Sequence, residues 1–216
     1  MVRSKILNHI KGLDHFFLDK VESKSVFTAL LLKKSFTCQQ IHQNKVAEVI
    51  ESHYYPNCDG LLTGKKAWLC LRTADCLPVF LYSADKKIAA ALHAGWRGLS
   101  LNIVAKATGV LEKKGVDLKN VFVAIGPHIG RCCYQVGSEI VNIFTLLDNK
   151  NKSYVRTSKG NIFLDLGAIA VNQLINIGIP KSNIEDVDIC TSCHKEFNSL
   201  RRDRTLDRNY NFIKLI

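Results

Sequence analysis

The apolar positions of the chain fall into two periods. Short apolar runs bounded by turn residues predict buried strands over Ala67–Leu71, Leu77–Tyr82 and Ile88–His93. The polar stretch Ser83–Lys87 between the second and third predicts a hairpin. From Leu99 to Lys113, Ile103, Ala107, Val110 and Leu111 recur at helical spacing until Gly115, which predicts one continuous helix. Asn120–Ile125 reads as a further strand, cut by Gly126-Pro127. Leu166–Ile177 repeats the helical pattern through Ile169, Ala170, Leu174 and Ile177, with Gly178 as its stop. Strands and helices alternate irregularly and no regular βαβ series emerges, so the expected class is α+β.

Composition narrows this picture. The 216 residues are 47% apolar and 23% charged, an ordinary globular balance. No linker rich in Pro, Gly or Ser and no repeat divides them, so one domain over residues 1–216 is expected; the most loop-like tract is 148–159. No apolar run approaches the length of a membrane span, and MVRSKILNHIKGLDHFF lacks the apolar core of a secretion signal. A cytoplasmic protein with no membrane partner, its eight cysteines reduced, is the expectation. The net charge of +11 suits anionic partners, phosphorylated small molecules among them. Its lysines are scattered, and RRDRTLDR interleaves two aspartates, so no specific nucleic-acid partner is expected.

Reactive residues concentrate in three segments at predicted strand ends or turns: CQQIHQNKV with His42, LRTADCLPVFL with Arg72, Asp75 and Cys76, and ALHAGWRGLS with His93 and Arg97. Two histidines and a cysteine can hold zinc with a fourth position open, the arrangement of a catalytic ion. The same residues admit a metal-free alternative, Cys76 as nucleophile and His93 as its base. CTSC (Cys190 to Cys193) and the adjacent Cys132-Cys133 read as buried structural thiols, because neighbouring cysteines are poorly placed to chelate one ion. His128, in the turn AIGPHIGRCCY, is expected at a cleft edge or exposed, without a ligand role. Gly95 and Gly98, then Gly126 and Gly130, match no phosphate-loop fingerprint and read as tight turns beside a site.

RTADCLPV, HAGWRG, GPHIGRCCYQVG, FLDL, DICT and FNSLRRD, in this order, resemble the YfiH/YlmD family, also called the laccase-domain, multicopper polyphenol oxidase or peptidoglycan editing factor family. The resemblance runs from about Gln40 to Asp203. It implies a single-domain layered α/β sandwich with mixed β-sheets flanked by helices, related to a bacterial toxin's cysteine-histidine domain. It also implies zinc as cofactor on His42, Cys76 and His93. The activities it implies are purine nucleoside phosphorolysis, including that of methylthioadenosine, and adenosine deamination. QIHQNKV has Gln43 where the family has Gly, and RRDRTLDR lacks the family's T-G-R.

A polyphenol oxidase, as the family's oxidase name suggests, is the less favoured alternative on ligand supply: a blue-copper site plus a trinuclear cluster consumes about ten histidines, and this chain has seven, with no H-x-H. Phosphorolysis needs cationic donors for the attacking anion, a role suited to the planar fork of arginine. Arg97 follows His93 by four residues and Arg72 precedes Cys76 by four, while Arg201 and Arg202 could close the site from the tail. Deamination would need an acid/base, for which Asp75 is the candidate beside a structural role in its turn. The leading expectation is a zinc-dependent purine nucleoside enzyme taking nucleosides and phosphate. The alternatives are a cysteine hydrolase or amidase acting on peptidoglycan precursors and a non-enzymatic binding module.

Overall fold

A computed structural model describes residues 1–216. Its centre is a six-stranded mixed sheet ordered β13 (Ile184–Asp186), β9 (Val121–Ile125), β7 (Leu77–Ser83), β8 (Ile88–Ala94), β5 (Gly60–Thr63) and β3 (Val46–Glu48). A five-stranded sheet packs against it, ordered β1 (Leu13–Phe17), β14 (Asn209–Leu215), β6 (Trp68–Thr73), β2 (Ser35–Cys38) and β4 (Tyr54–Tyr55). A small third sheet joins β10 (Gln135–Val136), β12 (Asn161–Leu164) and β11 (Val155–Ser158). The helices are α1 (Lys5–Asn8), α2 (Val26–Lys33), α3 (Trp96–Ser100), α4 (Ile103–Lys113), α5 (Ser138–Leu147), α6 (Leu166–Ile177) and α7 (Leu200–Asp203).

The two-residue strand period explains the layers. In β7, Leu77, Val79 and Leu81 face the helices while Phe80 and Tyr82 face the other sheet; in β8, Ile88, Ala90 and Leu92 face the helices and Ala89 and Ala91 the other sheet. The helix-side core is completed by Ile103, Val104, Ala107 and Leu111 of α4 and Ile169, Ala170 and Leu174 of α6. The inter-sheet core adds Leu69, Leu71 and Ile213, with Phe17 stacked on Phe80 at 4.8 Å. Removing each such side chain from water stabilises the fold by about 1.5–3 kcal/mol. The result is the α+β, layered, helix-flanked architecture that the periodicity and the resemblance led us to expect.

The hairpin is present: β7 and β8 are antiparallel, with Leu77 opposite Ala94 and Ser83 opposite Ile88. The second long helix runs over Leu166–Ile177, capped by the Asp165 side chain and stopped by Gly178 at φ 110°. The first departs from expectation. The segment expected as one helix from Leu99 is two, α3 and α4, parted at Leu101-Asn102. Asn102 takes the left-handed conformation (φ 56°) and its side chain accepts from the Ala105 N–H, so it starts a new helix. His128 meets its expectation in part: it lines a groove but is only 4% exposed, with Nδ1 at 2.9 Å from the Gly126 carbonyl and Nε2 at 3.8 Å from Asp186. No helix is long and apolar enough to cross a membrane.

Candidate active site

β8 explains why a buried strand ends on a histidine. Continuing its alternation, His93 shares the face of Ala89 and Ala91 and points between the sheets at the strand's last turn. The antiparallel register brings the residue before β7, Cys76, beside the residue after β8, Gly95. A Cβ on Gly95 would stand 3.0 Å from the Cys76 Sγ and 3.3 Å from the His42 ring, so glycine is what lets the backbone approach the trio. His42 arrives on the loop between β2 and β3 with φ 62°. Its Nε2 lies 4.0 Å from the Cys76 Sγ, and its ring meets that of His93 edge-on at 4.8 Å. The ligand atoms of His42, Cys76 and His93 all lie within 4.8 Å of one another.

One residue that the sequence reading did not single out organises the trio. Asp59, fully buried, accepts the Nδ1–H of His93 at 2.8 Å and the backbone N–H groups of Ile41, His42 and Gln43 at 3.1, 2.8 and 2.8 Å. Because a carboxylate only accepts, this contact puts a proton on Nδ1 and turns Nε2 toward Cys76. Burial opposes ionisation of Asp59, but the hydrogen bonds from His93 and the backbone win and hold it below the usual carboxylate range. At Cys76, burial raises the thiol while the His93 charge and hydrogen bonds from His42 and His93 bring it down to about 6. At His93, burial lowers the imidazole while the Cys76 thiolate and Asp59 raise it to about 9. Without an ion, the pair is therefore a thiolate and an imidazolium.

Two clefts meet at the trio. One, of about 330 Å³, is lined by Gln40, His42, Arg72, Cys76, His93, Leu206 and Arg208. The other, of about 460 Å³, is lined by His42, Asp75, Cys76, Trp96, Arg97, Tyr134, Arg201 and Arg204. Arg72, Arg97 and Arg201 thus reach the site. Arg97 stacks on Trp96 at 4.3 Å and Arg201 on Tyr134 at 5.2 Å. Arg204, Arg208 and Tyr134 are additional lining groups, spaced too irregularly in the sequence to be singled out. Arg202 lies outside both clefts: its guanidinium donates to the carbonyls of Thr191, Ser192 and Phe197 at 2.8, 3.0 and 2.7 Å and pairs with Asp203.

Asp75, at φ 87°, has both carboxylate oxygens engaged, one by the Thr191 hydroxyl and one by the Arg201 N–H, each at 2.7 Å. That occupancy makes it a positioning residue for the loop that carries Cys76. The four cysteines expected to be buried structural thiols are not buried: Cys132 and Cys193 are exposed and Cys133 and Cys190 half-buried, and the four sulfurs converge. The pairing of His128 with Cys190, which holds their two loops side by side, is the long-range fact that spacing could not reveal.

The family model described as multi-copper polyphenol oxidoreductase laccase matches residues 21–216. The chain is 32% identical over 191 residues to purine nucleoside phosphorylase YlmD of Geobacillus stearothermophilus, across 82% of this chain and 70% of that protein. It is 31% identical over 204 residues to purine nucleoside phosphorylase YfiH of Shigella flexneri, across 92% and 82%. The crystal structure of YlmD from Geobacillus stearothermophilus superposes with a TM-score of 0.87 at 26% identity, covering 98% of this chain and 94% of that one. That of a YfiH protein from Bacillus licheniformis gives 0.82 at 28% identity, covering 91% and 80%.

Proposed function

The chain belongs to the multi-copper polyphenol oxidoreductase laccase family, the family of YfiH and YlmD, and from that premise we propose that it is a metal-dependent purine nucleoside phosphorylase. The observation that carries the reading is the three-donor cluster His42, Cys76 and His93 at the junction of two arginine-lined clefts. The donor set fits zinc: two imidazoles, one thiol ionised near neutral pH, and Asp59 behind one imidazole in the manner of a carboxylate–histidine–zinc arrangement. It does not fit a set of copper centres, since the chain's two convergent ligand clusters hold only two histidines between them. When bound, zinc supplies Lewis-acid stabilisation of charge developing beside the trio.

The remaining work falls to the chain itself. Arg97, Arg201 and Arg204 offer charge-assisted donors that hold phosphate in the larger cleft, with its oxygen aimed at C1′ of the nucleoside. The nucleoside lies across the trio toward Gln40, Arg72 and Leu206. The phosphate oxygen forms a bond to C1′ as the bond from C1′ to the purine nitrogen breaks. The purine leaves with the electron pair and takes a proton, and ribose 1-phosphate remains. Deamination of adenosine is the weaker reading, because both nearby carboxylates, Asp59 and Asp75, are committed to hydrogen bonds and neither is a free acid or base.

Chromatography of adenosine incubated with the protein, with and without phosphate, tests the proposal. Adenine and ribose 1-phosphate should form only with phosphate, and a chelator should abolish the reaction. Inosine formed regardless of phosphate would replace phosphorolysis by deamination. The low thiol pKa of Cys76 beside His93 favours a second reading, a cysteine hydrolase or amidase acting on peptidoglycan precursors. That reading predicts chelator-resistant, alkylation-sensitive cleavage of such a precursor and no purine product.

A further inference from the structure

We propose that Cys132, Cys133, Cys190 and Cys193 form a second metal site, a tetrathiolate centre for zinc that shares no ligand with the trio. All four sulfurs lie within 4.8 Å of one another, with Cys193 at 3.4 Å from Cys132 and 3.3 Å from Cys133. A tetrahedral zinc ion with bonds of about 2.3 Å to sulfur sets its four ligands about 3.8 Å apart, so small side-chain adjustments close the site. Four thiols sharing so small a volume cannot all ionise unaided, whereas a soft divalent cation offsets their charge and holds them deprotonated. Cys190 also accepts the Gly130 N–H at 3.3 Å, a donor of the kind that stabilises a metal-bound thiolate.

The two cysteine pairs sit on separate loops already in register. His128 donates its N–H to Ile189 and accepts that of Thr191, at 3.1 and 2.9 Å, which aligns the turn after β9 with CTSC. Gly130 fits between the pairs: a Cβ there would meet the Cys190 Cβ at 3.3 Å and the Cys132 Sγ at 3.4 Å. Access is open, since Cys132 and Cys190 border a groove of about 610 Å³ whose walls carry Asp165, Asp186 and Asp188 as well as Arg131 and Lys181.

An ion here is a clamp on one wall of the active site. Tyr134 follows Cys133 directly, and the Arg201 guanidinium reaches the carbonyls of Cys133 and Gln135 at 3.4 and 2.9 Å. Thr191, inside CTSC, donates to Asp75, which precedes Cys76. Metal on the four sulfurs therefore fixes Tyr134, Arg201 and Asp75 relative to one another while touching no part of the trio.

Elemental analysis of full-length protein purified with zinc and without chelator is the test. The wild type should hold two equivalents of zinc; a Cys132→Ser/Cys193→Ser variant should hold one, as should a Cys76→Ala/His93→Ala variant, and the combined variant none. Cys193→His, which keeps a ligand at that corner, should restore the lost equivalent. In the Cys76→Ala/His93→Ala background, Co²⁺ should give the intense thiolate charge-transfer absorption of a sulfur-rich tetrahedral site, and Cys132→Ser should weaken it. Because this readout uses protein without the trio, it stands or falls separately from the phosphorylase reading. Zinc content unchanged by Cys132→Ser/Cys193→Ser would overturn the proposal. So would a disulfide among these four cysteines found by mass spectrometry in anaerobically prepared, alkylated protein.

Discussion

At the residue scale, the proposed function divides the site into groups that would hold a metal and groups that would hold an anion, and two substitutions separate them. Asp59→Asn keeps one acceptor oxygen but loses the charge that orients His93 and favours its Nδ1–H form. Zinc affinity, measured by competition with a chromophoric chelator, should fall about 10- to 100-fold; unchanged affinity would show that Asp59 only packs. Arg97→Ala removes an exposed guanidinium at the cleft wall without touching the trio. A lost charge-assisted contact of about 1.5–3 kcal/mol should lower kcat/KM for phosphate about 10- to 150-fold at constant zinc content. An unaltered phosphate KM would place the anion elsewhere. The trio itself was legible because each member sits in a compact motif at a strand end. Asp59 was not, since its link to His93 exists only once β5 pairs with β8 and sets Gly60 opposite Leu92. Arg202 and Asp75 carried the right chemistry for the site, but their hydrogen bonds, set by the loop around CTSC, decide their roles.

At the scale of elements, the buried hairpin β7–β8 and helix α6 could be read from the chain because burial imposes a clean period on each and Gly178 marks a stop. Strands of two to four residues in the five-stranded sheet, such as β2 and β4, are too short to show any period. The break between α3 and α4 was hidden for another reason. The apolar spacing runs on across it, and only the backbone of Asn102 interrupts the helix. Asn102 combines a left-handed conformation with a capping side chain, which makes a graded prediction possible. Asn102→Ala loses the cap and strains the backbone, so urea melts should show a loss of about 1–2 kcal/mol. Asn102→Gly keeps the conformation accessible and should cost only a few tenths of that range. Equal losses in the two variants would mean that the left-handed turn is not what sets the helix start.

At the scale of the whole molecule, the two large sheets are latched where their edge strands β1 and β13 meet α1, and the latch responds to pH. His15 lies on β1 between Leu13 and Phe17, which face the inter-sheet core, and is 1% exposed. Its Nε2 accepts the Ser4 N–H at 2.9 Å, while the Ser4 hydroxyl donates to Glu185 of β13 in the other sheet at 2.7 Å. A ring nitrogen that accepts must be unprotonated. Burial first, and then the Arg3 charge, lower the pKa of His15 from 6.5 to about 4 against the raising effects of Asp14 and Glu185. The folded state thus disfavours a proton that the unfolded chain takes up below pH 6.5. The latch contributes fully above that pH, and its contribution falls as pH drops toward 4. With one pKa unit worth about 1.4 kcal/mol, roughly 2 kcal/mol of stability should be lost by pH 5. Glu185, whose burial is outweighed by hydrogen bonds from Ile6 and Ser4, sits below its ordinary value of 4.5 and adds its own loss only at lower pH. Between pH 7.5 and 5 the Cys76 and His93 pair also titrates, so the contribution of His15 is the part of the urea-midpoint slope that a substitution at this residue removes. His15→Gln offers a non-titrating acceptor for the Ser4 N–H and should flatten that slope while leaving the steeper fall below pH 4.5 in place. A wild-type slope that survives His15→Gln would locate the proton uptake elsewhere in the molecule.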